Sequence, residues 1–229
     1  MAEARIDRID QSNLRESAYR ALHDAFTRGE FAPGDAVSLR SLADQLGISM
    51  TPVREAVRRL VAEGALVDTP SRTLLVPPYD ARRMADLKAA RLALESLVLD
   101  QAMERIGPAD LAALREILED PGAPGRSKPD LEQNYRFHFA IYRRSGSEVL
   151  LPLVEALWLQ YGAYLNLVIR QESARQFDEH KHHDEIVAAL ERGDREAAKV
   201  ALVRDIERSF RVLGSDEYAV RSSQEGDAP

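Results

Sequence analysis

The stretch LADQLGISMTPVREAVRRL, residues 42–60, constrains the fold more than any other part of the chain. Two short helical patterns are interrupted by Gly47-Ile48-Ser49. Glycine ends a helix cheaply because it takes left-handed dihedrals without a Cβ clash. Ser49 or Thr51 can cap a second helix, and Pro52 sits in its first turn, where a missing N–H costs nothing. On that helix Val53, Val57 and Leu60 share one face, with Ala56 beside them. Thr51, Arg54 and Arg58 share the other. The apolar face must pack on Leu42, Leu46 and a preceding helix, so the arginine face points outward.

The flanking sequence supplies the rest of a small unit. Asn13 with Glu16 three residues on resembles a capping box, and Leu14, Ala18, Leu22 and Ala25/Phe26 continue as an amphipathic helix. Gly29 is a stop and Pro33-Gly34 a turn. Ser38 can cap a helix from Leu39 to Leu46. Residues Ala65–Val67 and Thr73–Val76 are β-prone runs that read as a hairpin. Pro77-Pro78 then breaks regular structure, which places a domain boundary there and a first domain over 1–78.

Helical spacing dominates the remainder of the chain. Asp80 caps a long helix to about Ile106, closed by Gly107-Pro108, and a short helix covers 108–119. After the Pro- and Gly-rich loop 120–129, helices are expected over about 130–145, 148–171 and 174–192, with a last one to about 213. The second domain therefore spans 79–214, and the polar segment 215–229 reads as a disordered tail. The fold class is mainly α.

Composition sets limits on function. No run of 18 apolar residues is present, which excludes a membrane-spanning helix, and the polar N-terminus does not read as a secretory signal. Zero cysteines exclude disulfides, thiolate metal sites and cysteine nucleophiles, and fit a cytoplasmic location. The net charge of −7 argues against general polyanion binding, and residues 1–78 carry ten arginines against eleven acidic groups. A nucleic-acid partner must therefore be met by a local stripe of charge. Arg54 and Arg58, one turn apart, form such a stripe. An α-helix fits the major groove of duplex DNA, where arginine binds guanine O6 and N7 bidentately. Arg40 and Arg72 could flank it on phosphates or in the minor groove, and the helix N-terminus at Ser49 offers N–H groups to a phosphate.

The stretch LRSLADQLGISMTPVREAVRRLVAEGAL (39–66), within Leu14 to Val76, resembles the winged helix-turn-helix of GntR-family bacterial transcription regulators. The resemblance implies DNA contacts by Arg40, Arg54 and Arg58. Two positions depart from the family pattern. Met50 stands where arginine is usual, so a shifted operator is expected. The wing tip is Pro70-Ser71-Arg72-Thr73 where glycine is usual, which puts wing insertion in question.

The second domain places polar residues on apolar helix faces. Asn134 and His138 share a face beside Leu131, Ile141 and Tyr142. His183 lines up with Ile186, Val187 and Leu190, Asp205 with Ala198, Ala201 and Leu202, and Arg91 with Leu87, Leu94, Glu95 and Val98. Burying a neutral polar group unpaired costs roughly 2–7 kcal/mol, and a charge costs more. These groups must satisfy one another, a metal or a ligand. Two histidines and a carboxylate can bind a divalent ion, and Arg91 could grip a ligand's carboxylate as a fork. The alternative is a self-satisfied core network, with Arg91 on Asp205 or Glu95 and the histidines on backbone. His23, His180 and His182 read as surface residues, with His180 the nearest spare ligand.

RLALE (91–95), NYRFHFAIY (134–142) and HDEIVAALERGDREAA (183–198) resemble the motifs of the all-helical FCD effector domain of FadR-like regulators. Many such domains hold a metal (Zn, Ni or Mn) with an aspartate and three histidines, and bind small carboxylates against it. The matching positions here are Asn134, His138, His183 and Asp205, so an amide replaces the usual acid and a carboxylate replaces a histidine. The resemblance implies an effector site at Arg91, Asn134, His138 and His183. It also implies a homodimeric repressor that reads double-stranded DNA in the nucleoid under control of a small organic acid. A metal-dependent hydrolase or dioxygenase using His138, His183 and Asp205 is the alternative reading.

Overall fold

A computed structural model describes residues 11–69, 73–120, 130–169 and 180–213. The chain is mainly helical, with one small antiparallel sheet. Helix α1 (Gln11–Thr27) leads to strand β1 (Ala36–Val37), then α2 (Leu39–Leu46) and α3 (Met50–Ala62). Strands β2 (Val67–Asp68) and β3 (Leu74–Leu75) complete the first unit. The sheet order is β1-β3-β2, with Val37 opposite Leu74 and Val67 opposite Leu75. This is a winged helix-turn-helix. Its wing tip, residues 70–72 with the candidate contact Arg72, lies outside the described residues, as does the tail 215–229.

Local chemistry explains the boundaries. Ser38 accepts from the Ser41 N–H at 3.4 Å to start α2, and Gly47 ends it at φ 65° with its N–H on the Ala43 and Asp44 carbonyls. Ser49 holds the extended N-cap position of α3, although its side chain makes no capping bond there. Thr51 is inside that helix and is not its cap. The chain is already helical at Gln11, so Asn13 lies within α1 and does not cap it. Strand β1 was not expected. Two residues are too few to display an alternating pattern, and its pairing with β3 is decided by tertiary contact.

The remaining described residues form a helical bundle. It comprises α4 (Ala81–Ala102), α5 (Pro108–Glu119), α6 (Leu131–Tyr142), a 3-10 turn at Arg143–Ser145, α7 (Leu150–Ile169), α8 (Lys181–Glu191) and α9 (Arg195–Leu213). Asp80 caps α4 through the Arg83 N–H at 2.6 Å, and α4 stops at Ala102, four residues before Ile106. Gln133 donates its amide to the Ile117 and Asp120 carbonyls at 2.6 and 3.0 Å, which ties the end of α5 to the start of α6. Among the described residues no helix is long and apolar enough to cross a membrane.

Helix α7 belongs to two cores. Trp158, Tyr161 and Tyr164 pack in the bundle with Phe137, Phe139 and Tyr142. Leu159 and Ala163 pack instead among Leu22, Phe26, Val53, Val57 and Leu60 of the N-terminal head. The approach is close enough that a Cβ on Gly162 would lie 2.3 Å from the Phe26 carbonyl oxygen. The Tyr164 hydroxyl lies 3.2 Å from the carbonyls of both Pro77 and Pro78. Arg83 of α4 donates to the Gly64 carbonyl at 3.0 Å and to Gln160 at 2.7 Å.

Helix propensity alone favours alanine over glycine within a helix by about 1 kcal/mol. At Gly162 the clash falls on backbone, which cannot rotate away. Gly162→Ala should therefore destabilise by roughly 1–3 kcal/mol, and Tm should fall by several degrees in a calorimetric scan. A rise in Tm would show that α1 gives way.

Candidate effector and DNA-binding sites

Five helices aim polar side chains into the centre of the bundle. Arg91 and Glu95 come from α4, His138 and Tyr142 from α6, His183 from α8, and Asp205 from α9, all of them buried. Helix α7 adds Trp158. The spacing of four within α4 and within α6 puts each pair on one face, so the sequence delivers two-residue steps that the bundle joins.

The joined groups form a chain of contacts. Arg91 donates from Nε to Glu95 Oε1 at 2.6 Å. Its guanidinium lies 4.4 Å from the ring centroid of Trp158 and 4.7 Å from that of Tyr161. Tyr142 donates its hydroxyl to Glu95 Oε2 at 2.6 Å. The same hydroxyl oxygen lies 3.1 Å from His138 Nδ1, and His138 Nε2 lies 3.0 Å from Asp205 Oδ2. Arg208 donates to Asp205 Oδ1 at 2.8 Å. His183 Nε2 is 3.6 Å from that oxygen, beyond hydrogen-bond distance. Arg91, expected to offer a fork to a ligand, therefore gives that fork to Glu95, one of the two partners weighed for a self-satisfied core.

Two tautomers fit these distances: with hydrogen on Nδ1, His138 donates to the Tyr142 oxygen, and with hydrogen on Nε2 it donates to Asp205. Burial holds His138 below its ordinary value of 6.5, against the pull of Asp205, so the ring is neutral near pH 7. In the first tautomer its Nε2 lone pair faces a carboxylate oxygen, free to ligate a cation. Burial would raise the Asp205 carboxyl, yet the charge of a protonated His183 and hydrogen bonding from His138 hold it well below the usual range. In that tautomer two lone pairs stand at 3.0 Å, a geometry that a shared cation would satisfy.

His183 adds to the demand. Neither of its ring nitrogens has a hydrogen-bond partner, although both are buried. Buried nitrogens of this kind need a partner. Ligand atoms of His138, His183 and Asp205 all lie within 4.8 Å of one another. Neutral imidazoles and an ionised carboxylate are the forms that ligate metal. These three residues fit a divalent ion, and could hold one. Asn134, the fourth expected ligand, sits one helical turn before His138 on α6 and is half-buried.

The other expected residues separate into two groups. Arg40 and Arg54 are exposed and, among the described residues, make no ion pair or side-chain hydrogen bond. Arg58 is exposed but is held by Glu55 at 2.8 Å. Ser49, Thr51 and Arg54 lie along the outward face at the start of α3.

Sequence reasoning misplaced His23, which is buried rather than at the surface. The bundle covers that face of α1, and the His23 ring sits 6.1 Å from that of Tyr135 on α6. It also missed Trp158, whose ring centroid is 5.2 Å from that of His138. A lone tryptophan inside an apolar helix gives no sign of which core it enters. The partnership of Arg208 with Asp205 was open to reading from their spacing of three.

Comparison with known proteins finds two matching families along the chain. Residues 14–76 match bacterial regulatory proteins of the gntR family, and residues 86–208 match the FCD domain. The HTH-type transcriptional regulator McbR of Escherichia coli is 33% identical over 190 residues, which span 81% of this chain and 86% of that protein. The HTH-type transcriptional repressor GlaR of the same organism is 27% identical over 75% of this chain and 83% of its own length. The solved structure of E. coli McbR/YncC superposes with a TM-score of 0.79 at 30% identity, covering 90% of this chain and 98% of that one.

Glu95 neutralises Arg91 where neither can reach water. Removing one member of a buried pair costs about 3–5 kcal/mol, whereas replacing both with apolar groups is often neutral. Glu95→Ala should lower urea-unfolding stability by that amount. The double variant Arg91→Met/Glu95→Met should recover most of it, and equal losses in both would mean that the pair is not what stabilises this core.

Proposed function

We propose, from the premise that this chain belongs to the GntR family of bacterial regulatory proteins and carries an FCD effector domain, that it is a homodimeric repressor released or engaged by a small organic acid. Members of this family are transcriptional regulators, so the hydrolase or dioxygenase alternative falls away. Its head binds DNA and its helical domain is the effector domain. In this reading the chain works in the cytoplasm, on the nucleoid.

The observation that carries the reading is the double membership of α7. Trp158 stands against His138, while its neighbour Leu159 lies in the core of the head. A ligand that moves Trp158 must also load the packing beneath α3. Such a ligand shifts DNA affinity only by its differential affinity for two head arrangements, and a coupling of ~1–3 kcal/mol gives about 5–150-fold.

The chemistry of the pocket favours an acid as effector. Arg91 is matched by Glu95, and Asp205 by Arg208, so the buried charges already balance. A divalent ion on His138, His183 and Asp205, with Asn134 as a further oxygen ligand, would supply a positive centre for a carboxylate. Zn, Ni and Mn all suit imidazole and oxygen donors. The name of GlaR supports repression as the output. Two heads are favoured because one small module buries little DNA surface, and twofold symmetry is the usual way to pair them. Arg54 is the base-reading candidate, and each arginine–guanine pair supplies ~1–3 kcal/mol of discrimination. Arg40 and Ser49 suit phosphates, with Thr51 beside them. Arg58 would have to leave Glu55 to take part, and Arg72 is proposed for the wing.

The test has two arms. Selection from random duplexes should enrich a near-palindromic motif with the wild type, and Arg54→Ala should lose it. Trp158 is the single tryptophan of the chain, so its fluorescence reports the pocket directly. Ni²⁺ should change that signal in the wild type, and much less in His183→Ala or Asp205→Asn. An unchanged Ni²⁺ response in both variants would reject the metal site. A motif that survives Arg54→Ala would reject the assigned contact.

A further inference from the structure

The outward face of α3 contains one apolar side chain that its surroundings do not explain. Met50 opens the helix and is 42% exposed, while Pro52, Val53, Ala56, Val57 and Leu60 fill the inward face. It is the only large hydrophobic residue exposed on the α2–α3 unit among the described residues. Met50 and Arg54 are four residues apart, so they stand one above the other on the same face. Arg54 is exposed and uncommitted there.

We infer that Met50 is a specificity-determining residue that reads the 5-methyl group of a thymine in the major groove, next to the base pair read by Arg54. The inference deepens the DNA-binding role proposed above and rests on it. Among the four bases only thymine presents an apolar group in the major groove, where the others present donors and acceptors alone. A thioether makes no strong hydrogen bond, so it gains nothing from a guanine or adenine edge that water does not already supply. Against a methyl group it removes apolar surface from water on both sides. The unbranched side chain reaches and adapts, which suits a contact formed only on docking. Four helical residues rise about 6 Å, roughly two base-pair steps, so the thymine lies within that distance of the arginine-bound guanine.

The test removes the methyl group from the DNA and the side chain from the protein. In the motif selected by the full-length wild type, each thymine is replaced in turn by deoxyuridine, symmetrically in both half-sites, and Kd is measured by fluorescence anisotropy. One thymine position should weaken wild-type binding about fourfold per half-site, the share carried by one buried methyl group. Met50→Ala should bind thymine and deoxyuridine equally at that position, and Met50→Leu should keep the difference. Met50 is exposed, so neither substitution disturbs the head's core. Deoxyuridine tolerated at every position, or a methyl preference that persists in Met50→Ala, overturns the inference while leaving the Arg54 contact standing. If no motif is enriched at all, the DNA-binding premise fails first and the inference fails with it.

Discussion

Charges cannot be taken out of water singly, and the centre of this bundle holds at least three of them. Arg91, Glu95 and Asp205 are each less than a tenth exposed. The bundle is arranged so that each meets its complement: Glu95 on Arg91, Tyr142 on Glu95, and Arg208 on Asp205. Helices α4, α6 and α9 must therefore keep a fixed register, since a slip of one residue turns a side chain by about 100° and strands a charge. The core's apolar packing supplies the bulk of the stability, but these pairs specify which helix faces which.

Within that arrangement the candidate metal group is where buried polar atoms converge without a full set of partners among the described residues. Every other buried link in the chain from Arg91 to Tyr142 has a donor and an acceptor. His183, beside His138 and Asp205, has two buried ring nitrogens with no hydrogen-bond partner. These three residues form the site that could hold a divalent ion. Trp158 and Phe137 close it with aromatic faces, and Phe137 lies with its ring centroid 4.4 Å from that of His183.

Much of this is legible in the residues themselves. The helix periods, the glycine at the turn of the head, and the caps at Ser38 and Asp80 are local signals, and local chemistry realises them. The face-sharing of Asn134 and His138 follows from spacing alone. That His138 meets Asp205, 67 residues later, does not follow, and only the family resemblance pointed to it. The misreadings share a cause. His23 and β1 owe their environments to segments distant in sequence, and the burial of a histidine on α1 depends on a bundle that begins more than fifty residues later. Asn13 failed as a cap because a matching residue type inside a helix looks the same as one at its end.

The seat that α7 occupies in the head bears on how such proteins diversify. Leu159 and Ala163 are contributed by one domain to the interior of the other, and Gly162 leaves no room for a different contour there. A head joined to a different helical domain would need equivalents of these residues to fill its core. A cut at Pro77-Pro78 alone would leave the head without the α7 residues that complete its core.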